Sequence, residues 1–178
     1  MKKIIITALA ALLALSLAAC GGTSPDTGSD AATTEPTVNA QPSAGHTFAP
    51  NGIAITIGAE PSSVLAALGK ELDSFTLESC AIDAKDIEYR YQGFRLNVTY
   101  PEKGEPYITG IQLTDDTFQT PERLYIGSPA EDIKMAYGPD CKEENSFYTY
   151  TQGRSTLQFH EKEGLVDQIL YGYIFDEE

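Results

Sequence analysis

The sequence is poor in the residues from which many enzyme active sites are built. Its 178 residues include no tryptophan, two histidines and three cysteines. His46 and His160 lie far apart, so the His-x-x-x-His spacing of a zinc site is missing. The Gly-x-Ser-x-Gly turn of serine hydrolases and the glycine-rich loops that bind phosphates are missing as well. We therefore expect no catalytic residue, no metal site and no cofactor.

Two alternatives to a non-enzymatic binding protein stay open. A hydrolase or transferase that acts on cell-wall material with two carboxylates needs none of these motifs. It would require one Asp or Glu whose pKa is raised in a cleft. A structural envelope protein without a specific partner is the other alternative.

Basic residues are scarce. The chain has 12 lysines and arginines against 26 aspartates and glutamates, which gives a net charge of -14. Loss of an N-terminal segment that holds Lys2 and Lys3 but no acid would leave 10 basic residues and a net charge of -16. Such a surface repels polyphosphates, so we expect no nucleic-acid partner.

Long apolar runs are confined to the N-terminus. Lys2 and Lys3 precede an apolar stretch over residues 4–15, and Leu17-Ala18-Ala19-Cys20 is followed by two glycines. A basic start, a short apolar segment and small residues at a cleavage point are typical of an export signal. Leu-Ala-Ala-Cys resembles the bacterial lipobox. The resemblance implies a lipoprotein signal peptide over residues 1–19 and a diacylglyceryl group, with palmitate-like chains, on Cys20.

This anchor places the mature chain on the outer side of the cell membrane. Two acyl chains, at about 0.8 kcal/mol per buried methylene, anchor a protein stably, whereas one chain binds only marginally. An ordinary signal peptide with an incidental Cys20 is the alternative. Residues 21–47 are rich in Ser, Thr, Ala, Gly and Pro, with no aliphatic side chain larger than Val38. Residues 20–47 are therefore predicted to be a lipidated, flexible tether, followed by a globular domain over 48–178.

The globular domain contains an internal repeat. Residues 57–69 align without a gap on residues 126–138, and each stretch reads as a short strand that ends at glycine, a serine cap, about two turns of helix and a final glycine. Three segments of alternating apolar and polar residues follow each helix. They are residues 87–92, 94–100 and 107–114, then 146–151, 155–160 and 166–175. We expect an α+β fold of two tandem helix-plus-antiparallel-meander repeats, at about 50–116 and 122–175.

These motifs resemble a known family. An Ile-x-Ile-Gly stretch, a short helix that ends in Leu-Gly or Tyr-Gly, a Tyr-x-Tyr strand and an Asp-Asp pair near the last strand resemble the tandem-repeat lipoproteins of Gram-positive bacteria. The fold of that family is similar to beta-lactamase inhibitory protein and to the small outer-membrane-assembly lipoproteins. The resemblance implies a fold and assigns no catalytic residue.

The candidate site is the sheet face opposite the helices. The alternation places two of the few arginines there beside polar and aromatic residues, a composition typical of interface centres. A solvated sheet surface without a binding role is the alternative. The candidate binding residues are Arg90, Arg95, Gln112, Phe147, Thr149, Gln158 and His160. We expect an extracytoplasmic protein as partner; for His160, an ordinary surface role, a ligand contact and a metal or catalytic role all stay open.

Two cysteines follow the anchor residue, Cys80 and Cys141. Outside the cell they could form a disulfide, which would stabilise the fold by roughly 4 kcal/mol for a loop of about 60 residues. They occupy nearly equivalent positions in the two repeats, and such positions meet only near the pseudosymmetry axis. Two buried free thiols are the alternative.

Overall fold

The structure, a computed structural model, describes residues 45–78 and 84–175. It confirms the predicted α+β class, with two helices and a mainly antiparallel set of strands. In chain order the elements are β1 (Thr47–Phe48), β2 (Ile55–Thr56), α1 (Ser62–Leu68), β3 (Asp73–Glu78), β4 (Ala84–Tyr91), β5 (Phe94–Pro101), β6 (Tyr107–Leu113), α2 (Glu131–Tyr137), β7 (Lys142–Glu144), β8 (Phe147–Gln152), β9 (Ser155–Lys162) and β10 (Leu165–Tyr173). Among the described residues no helix is long and apolar enough to span a membrane.

Eight strands form one sheet in the order β3-β4-β5-β6-β10-β9-β8-β7. Strands β3, β4, β5 and β6 form one antiparallel series of neighbours, and strands β7, β8, β9 and β10 form another. The last strands of the two series, β6 and β10, pair with each other at the centre, while β3 and β7 form the edges. The hairpin of β1 and β2 is a separate two-stranded sheet.

The strand prediction was right for the six central strands and incomplete at the edges. All six alternating segments form strands within three residues of the predicted bounds. The sequence reading missed β3 and β7, so each series has four strands rather than three. It also placed a short strand before Gly127. That segment is a turn instead, and its pairing with the start of β10 comes after Gly127, as a single isolated bridge between Pro129 and Leu165.

Both helices occupy the predicted residues and end at the predicted glycines. Gly69 and Gly138 have φ values of 73° and 85°, a conformation that glycine adopts at no steric cost, and each amide bonds to a carbonyl four residues earlier. The predicted serine caps are wrong. At α1 the Glu60 carboxylate accepts the Ser62 amide (2.9 Å), and α2 has no side-chain cap at Ala130.

The buried side chains lie on one face of the sheet. Phe94, Leu96 and Val98 alternate along β5, and Leu157 and Phe159 alternate along β9. The helices, the β1–β2 hairpin and the loop before α2 cover this face. They contribute the buried residues Phe48, Ile55, Val64, Leu124 and Ile133. The described apolar residues that are buried on the long strands belong to this side, so the opposite side is a second surface, called the open face below.

The start of the described chain is bonded to β9. The Ser155 hydroxyl accepts the His46 amide (2.7 Å) and donates to the Gln152 carbonyl (2.9 Å). With its one hydrogen assigned to the Gln152 carbonyl, the hydroxyl accepts at its 2.9 Å contact with His46 Nδ1, and in this assignment Nδ1 carries the proton. Nε2 of His46 is left as a hydrogen-bond acceptor.

His46 and Thr47, which the composition assigns to the tether, thus have specific contacts with the rest of the described structure. Thr47 pairs with Thr56, and their side-chain hydroxyls lie 2.9 Å apart. Polar residues of low hydrophobicity are read as a tether, but here main-chain and hydroxyl hydrogen bonds order them.

A first prediction concerns pH. Burial lowers the pKa of His46 below its ordinary value of 6.5, with Glu122 acting more weakly in the opposite direction. As pH falls through 6.5, the unfolded chain binds protons before the folded chain, so stability decreases. We expect the full chain to lose more free energy of unfolding between pH 7.5 and pH 5 than its His46→Gln variant, as measured by urea denaturation. Equal losses in the two proteins would contradict a neutral, half-buried imidazole in the folded chain.

A second prediction concerns the packing of α2. Ile133 is fully buried and Met135 is 73% exposed on the same short helix. Ile133→Ala should lower the free energy of unfolding by about 2–5 kcal/mol, since it leaves a cavity in the core. The matched variant Met135→Ala should change it by less than about 0.5 kcal/mol. Similar values for the two variants in chemical denaturation would show that α2 does not pack as described.

Candidate functional site

Five of the seven predicted binding residues lie in one row that crosses the open face. The row consists of directly paired residues, one from each of the eight strands. In sheet order they are Asp73, Arg90, Arg95, Gln112, Leu170, Gln158, Thr149 and Lys142. Directly paired residues of antiparallel strands project from the same face. Strand pairing therefore places on one surface residues from β4 and β8 that are far apart in sequence.

The other two predicted residues, Phe147 and His160, pair with each other in a neighbouring row of the same face. Their ring centroids are 4.5 Å apart. His160 pairs with Gln168 of β10, and a bulge in that strand inserts Asp167 next to Gln168. Asp167 Oδ1 lies 2.5 Å from His160 Nδ1. This contact fits an ordinary surface histidine with a hydrogen-bond partner.

The two arginines share one carboxylate. Arg90 Nε lies 2.8 Å from Glu88 Oε1, and Arg95 Nη1 lies 3.9 Å from Glu88 Oε2. The Arg90 guanidinium also stacks on the Phe75 ring, 4.0 Å from its centroid. Both arginine side chains are partly exposed. Exposed ion pairs contribute only about 0–1 kcal/mol, so either guanidinium can exchange Glu88 for an incoming acceptor at small cost.

The neighbouring edge strand, β3, adds apolar surface that the sequence reading missed. Phe75 pairs with Glu88 and Leu77 with Asp86, so both lie on the open face, and their exposed fractions are 42% and 60%. The opposite edge, β7, has the three charged residues of Lys142–Glu144 instead. Charged, short edges discourage strand pairing, whereas a six-residue edge with exposed apolar side chains does not. The alternation of Phe75 and Leu77 with Ser74 and Thr76 was the signal in the sequence.

Two glycines pair directly at the centre of the open face, Gly110 of β6 and Gly172 of β10. A Cβ atom at Gly110 would lie 3.2 Å from Asn97 Nδ2, and one at Gly172 would lie 3.0 Å from Thr156 Oγ1. The side chains of Asn97 and Thr156 therefore occupy the space above the two glycines, which explains why these positions have no side chain.

The remaining predicted site residues are described only in part. Cys20 and Cys80 lie outside the described residues. Cys141 is a free thiol that packs, partly buried, against the core. Within residues 45–78 and 84–175, no group of three or more His, Cys, Asp and Glu side chains could hold a metal ion.

Among the residues that the structure describes, three carboxylates have shifted pKa values, and each shift is downward. Hydrogen bonds from Ser62 lower the pKa of Glu60, those from Thr117 lower the pKa of Asp115, and Lys142 lowers the pKa of Glu144. A general acid of a glycoside hydrolase requires a raised pKa. These three residues therefore do not fit that role.

No family model and no curated protein matches the chain. Among solved structures, the uncharacterized protein yfeY from Escherichia coli aligns with a TM-score of 0.43 and 13% identity, over 66% of this chain and 92% of that one. An extracellular protein containing a SCP domain from Bacillus anthracis aligns with a TM-score of 0.38 and 13% identity, over 66% of this chain and 44% of that one.

Proposed function

We propose that the chain is a lipid-anchored, extracytoplasmic binding module without catalytic activity, and that the open face contacts another protein. The observation that carries this proposal is the concentration of Arg90, Arg95 and the exposed side chains of Phe75 and Leu77 at one end of a face that the helices do not cover. Arginine and aromatic residues are enriched at the energetic centres of protein interfaces.

The pairing of the strands supports a continuous contact surface rather than isolated residues. The row from Arg90 to Thr149 crosses the joint between β6 and β10 without a break. Phe147 with His160 offers a second aromatic contact on the other side of this joint. A protein partner fits this spread of polar and aromatic contacts.

The two-repeat organisation belongs to the same proposal. A helix and four strands occur twice in the same order, and residues 62–68 and 131–137 are helical at the spacing of the gap-free alignment. Gly58 and Gly127 also share a positive φ, at 84° and 107°. Duplication of one unit, with the last strands paired across a pseudo-twofold axis, accounts for these correspondences.

A third prediction tests the contact surface. A photo-crosslinking amino acid at Thr149, on the open face, should capture one extracytoplasmic protein when the full chain is expressed in its own cells. The same amino acid at Met135, on the exposed side of α2, should not capture that protein. When Arg90→Glu and Arg95→Glu are added to the Thr149 crosslinker, the protein should no longer be captured, because both positive charges are replaced by negative ones.

The matched control for this experiment is Lys70→Glu with Lys103→Glu. These exposed residues lie off the open face and give the same change in net charge. Capture from Met135 and Thr149 alike, or equal loss in both double variants, would contradict the assigned surface.

A fourth prediction tests the anchor. Cys20→Ser should abolish incorporation of an alkyne-labelled palmitate analogue and should release the protein from sedimented membranes, since the thiol is the proposed acylation site. Cys141→Ser should retain both the label and the membrane association. Persistent labelling of the Cys20→Ser variant would show that the lipobox reading is wrong.

A further inference from the structure

A cavity of about 210 Å³ lies on the helix-covered side of the sheet, away from the open face. Its wall comes from three parts of the chain that are distant in sequence: the first described residues, the loop before α2 with α2 itself, and strands β8 to β10. The lining residues that matter here are His46, Glu122, Tyr137, Gln152, Leu157 and Tyr171. Tyr171 and Leu157 are buried, while Glu122 and Gln152 are exposed, which places the carboxylate at the mouth.

One buried hydroxyl group of this cavity lacks a partner. Tyr171 is 3% exposed, and its hydroxyl makes no hydrogen bond within the described part of the chain. The Tyr137 hydroxyl makes no hydrogen bond of standard geometry there, but Glu122 and Thr120 lie close enough to it to affect its pKa. A buried hydroxyl without a partner destabilises a fold, because it has given up its hydrogen bonds to water. Such groups are rare in native proteins and call for a reason, of which a bound ligand is one.

The groups around the cavity share an affinity for positive charge. The Glu122 carboxylate raises the pKa of Tyr171 and of Tyr137, in each case after the larger effect of burial, so both phenols stay protonated. The hydroxyls of Tyr137 and Tyr171 therefore lie near the same carboxylate, that of Glu122. His46 is neutral, with Nδ1 held by Ser155 and Nε2 left as an acceptor.

No lysine or arginine of the described chain lines the cavity. The available groups are therefore a carboxylate, an imidazole lone pair and phenol oxygens. A carboxylate with neutral acceptors beside it binds organic cations, whereas an anionic ligand would meet both Glu122 and a chain of net charge -14.

We propose that this cavity binds a small organic ammonium ion, with Glu122 as counter-ion and the hydroxyls of Tyr137 and Tyr171 as hydrogen-bond acceptors. The cavity of about 210 Å³ limits the part of the ligand that it can hold to a small group. The site is separate from the open face and does not depend on the proposed protein partner.

The test is an NMR titration of the full chain in a nonionic detergent with n-butylammonium, with 1-butanol and butyrate as neutral and anionic probes of the same size. We expect saturable binding of n-butylammonium and no saturable binding of 1-butanol or butyrate. Glu122→Gln should weaken it at least about tenfold, which corresponds to loss of ~1.4 kcal/mol. Glu105→Gln removes the same charge from an exposed residue outside the cavity and should leave the affinity unchanged.

Tyr171→Phe separates ligand binding from folding. It should also weaken binding of n-butylammonium, while its thermal unfolding temperature should equal or exceed that of the parent, because the deleted hydroxyl has no protein partner. Equal binding of 1-butanol would overturn the proposal in favour of an apolar pocket. Equal effects of Glu122→Gln and Glu105→Gln would overturn it in favour of general charge attraction. If no probe binds saturably, the proposal is overturned and the cavity holds only water.

Discussion

The pairing of β6 with β10 is the interaction on which the rest of the structure depends. Only three residue pairs form it: Gln112 with Leu170, Ile111 with Tyr171, and Gly110 with Gly172. They convert two four-stranded antiparallel arrays into one sheet with a single helix-covered face. One pair, Ile111 with Tyr171, is buried in the core, and the other two continue the rows of the open face. The joint therefore supports both the core and the candidate surface.

Much of this arrangement could be predicted from alternation and glycine placement. Alternating apolar residues located the six central strands, because one face of each is buried and the other is not. Glycines at positions 69 and 138 ended both helices, because only glycine adopts the required backbone conformation without strain. The phase of the alternation also placed Arg90, Arg95 and His160 on the face that the structure leaves open.

The rest depends on contacts that local patterns do not encode. Strand β7 consists of three charged residues, and only its pairing with β8 makes it a strand. The bulge at Asp167 shifts the phase within β10, so its carboxylate reaches His160 although strict alternation would direct it away. Tertiary packing brings His46, Glu122 and Tyr171 together around the cavity. His46 lies in the polar stretch over residues 21–47, whose composition predicts a tether and not part of a site.

The two sides of the sheet thus offer different chemistry: an extended face with arginine and aromatic residues, and a small cavity with acceptor groups. The central claim is that a protein covers the open face in the cell. Hydroxyl-radical footprinting of the full chain, in intact cells and after purification, tests it most directly. The account predicts that oxidation of Phe75, Phe147 and His160 is lower in cells, while oxidation of Met135, exposed on α2, is the same in both. Equal oxidation of the open-face residues in the two samples would contradict it.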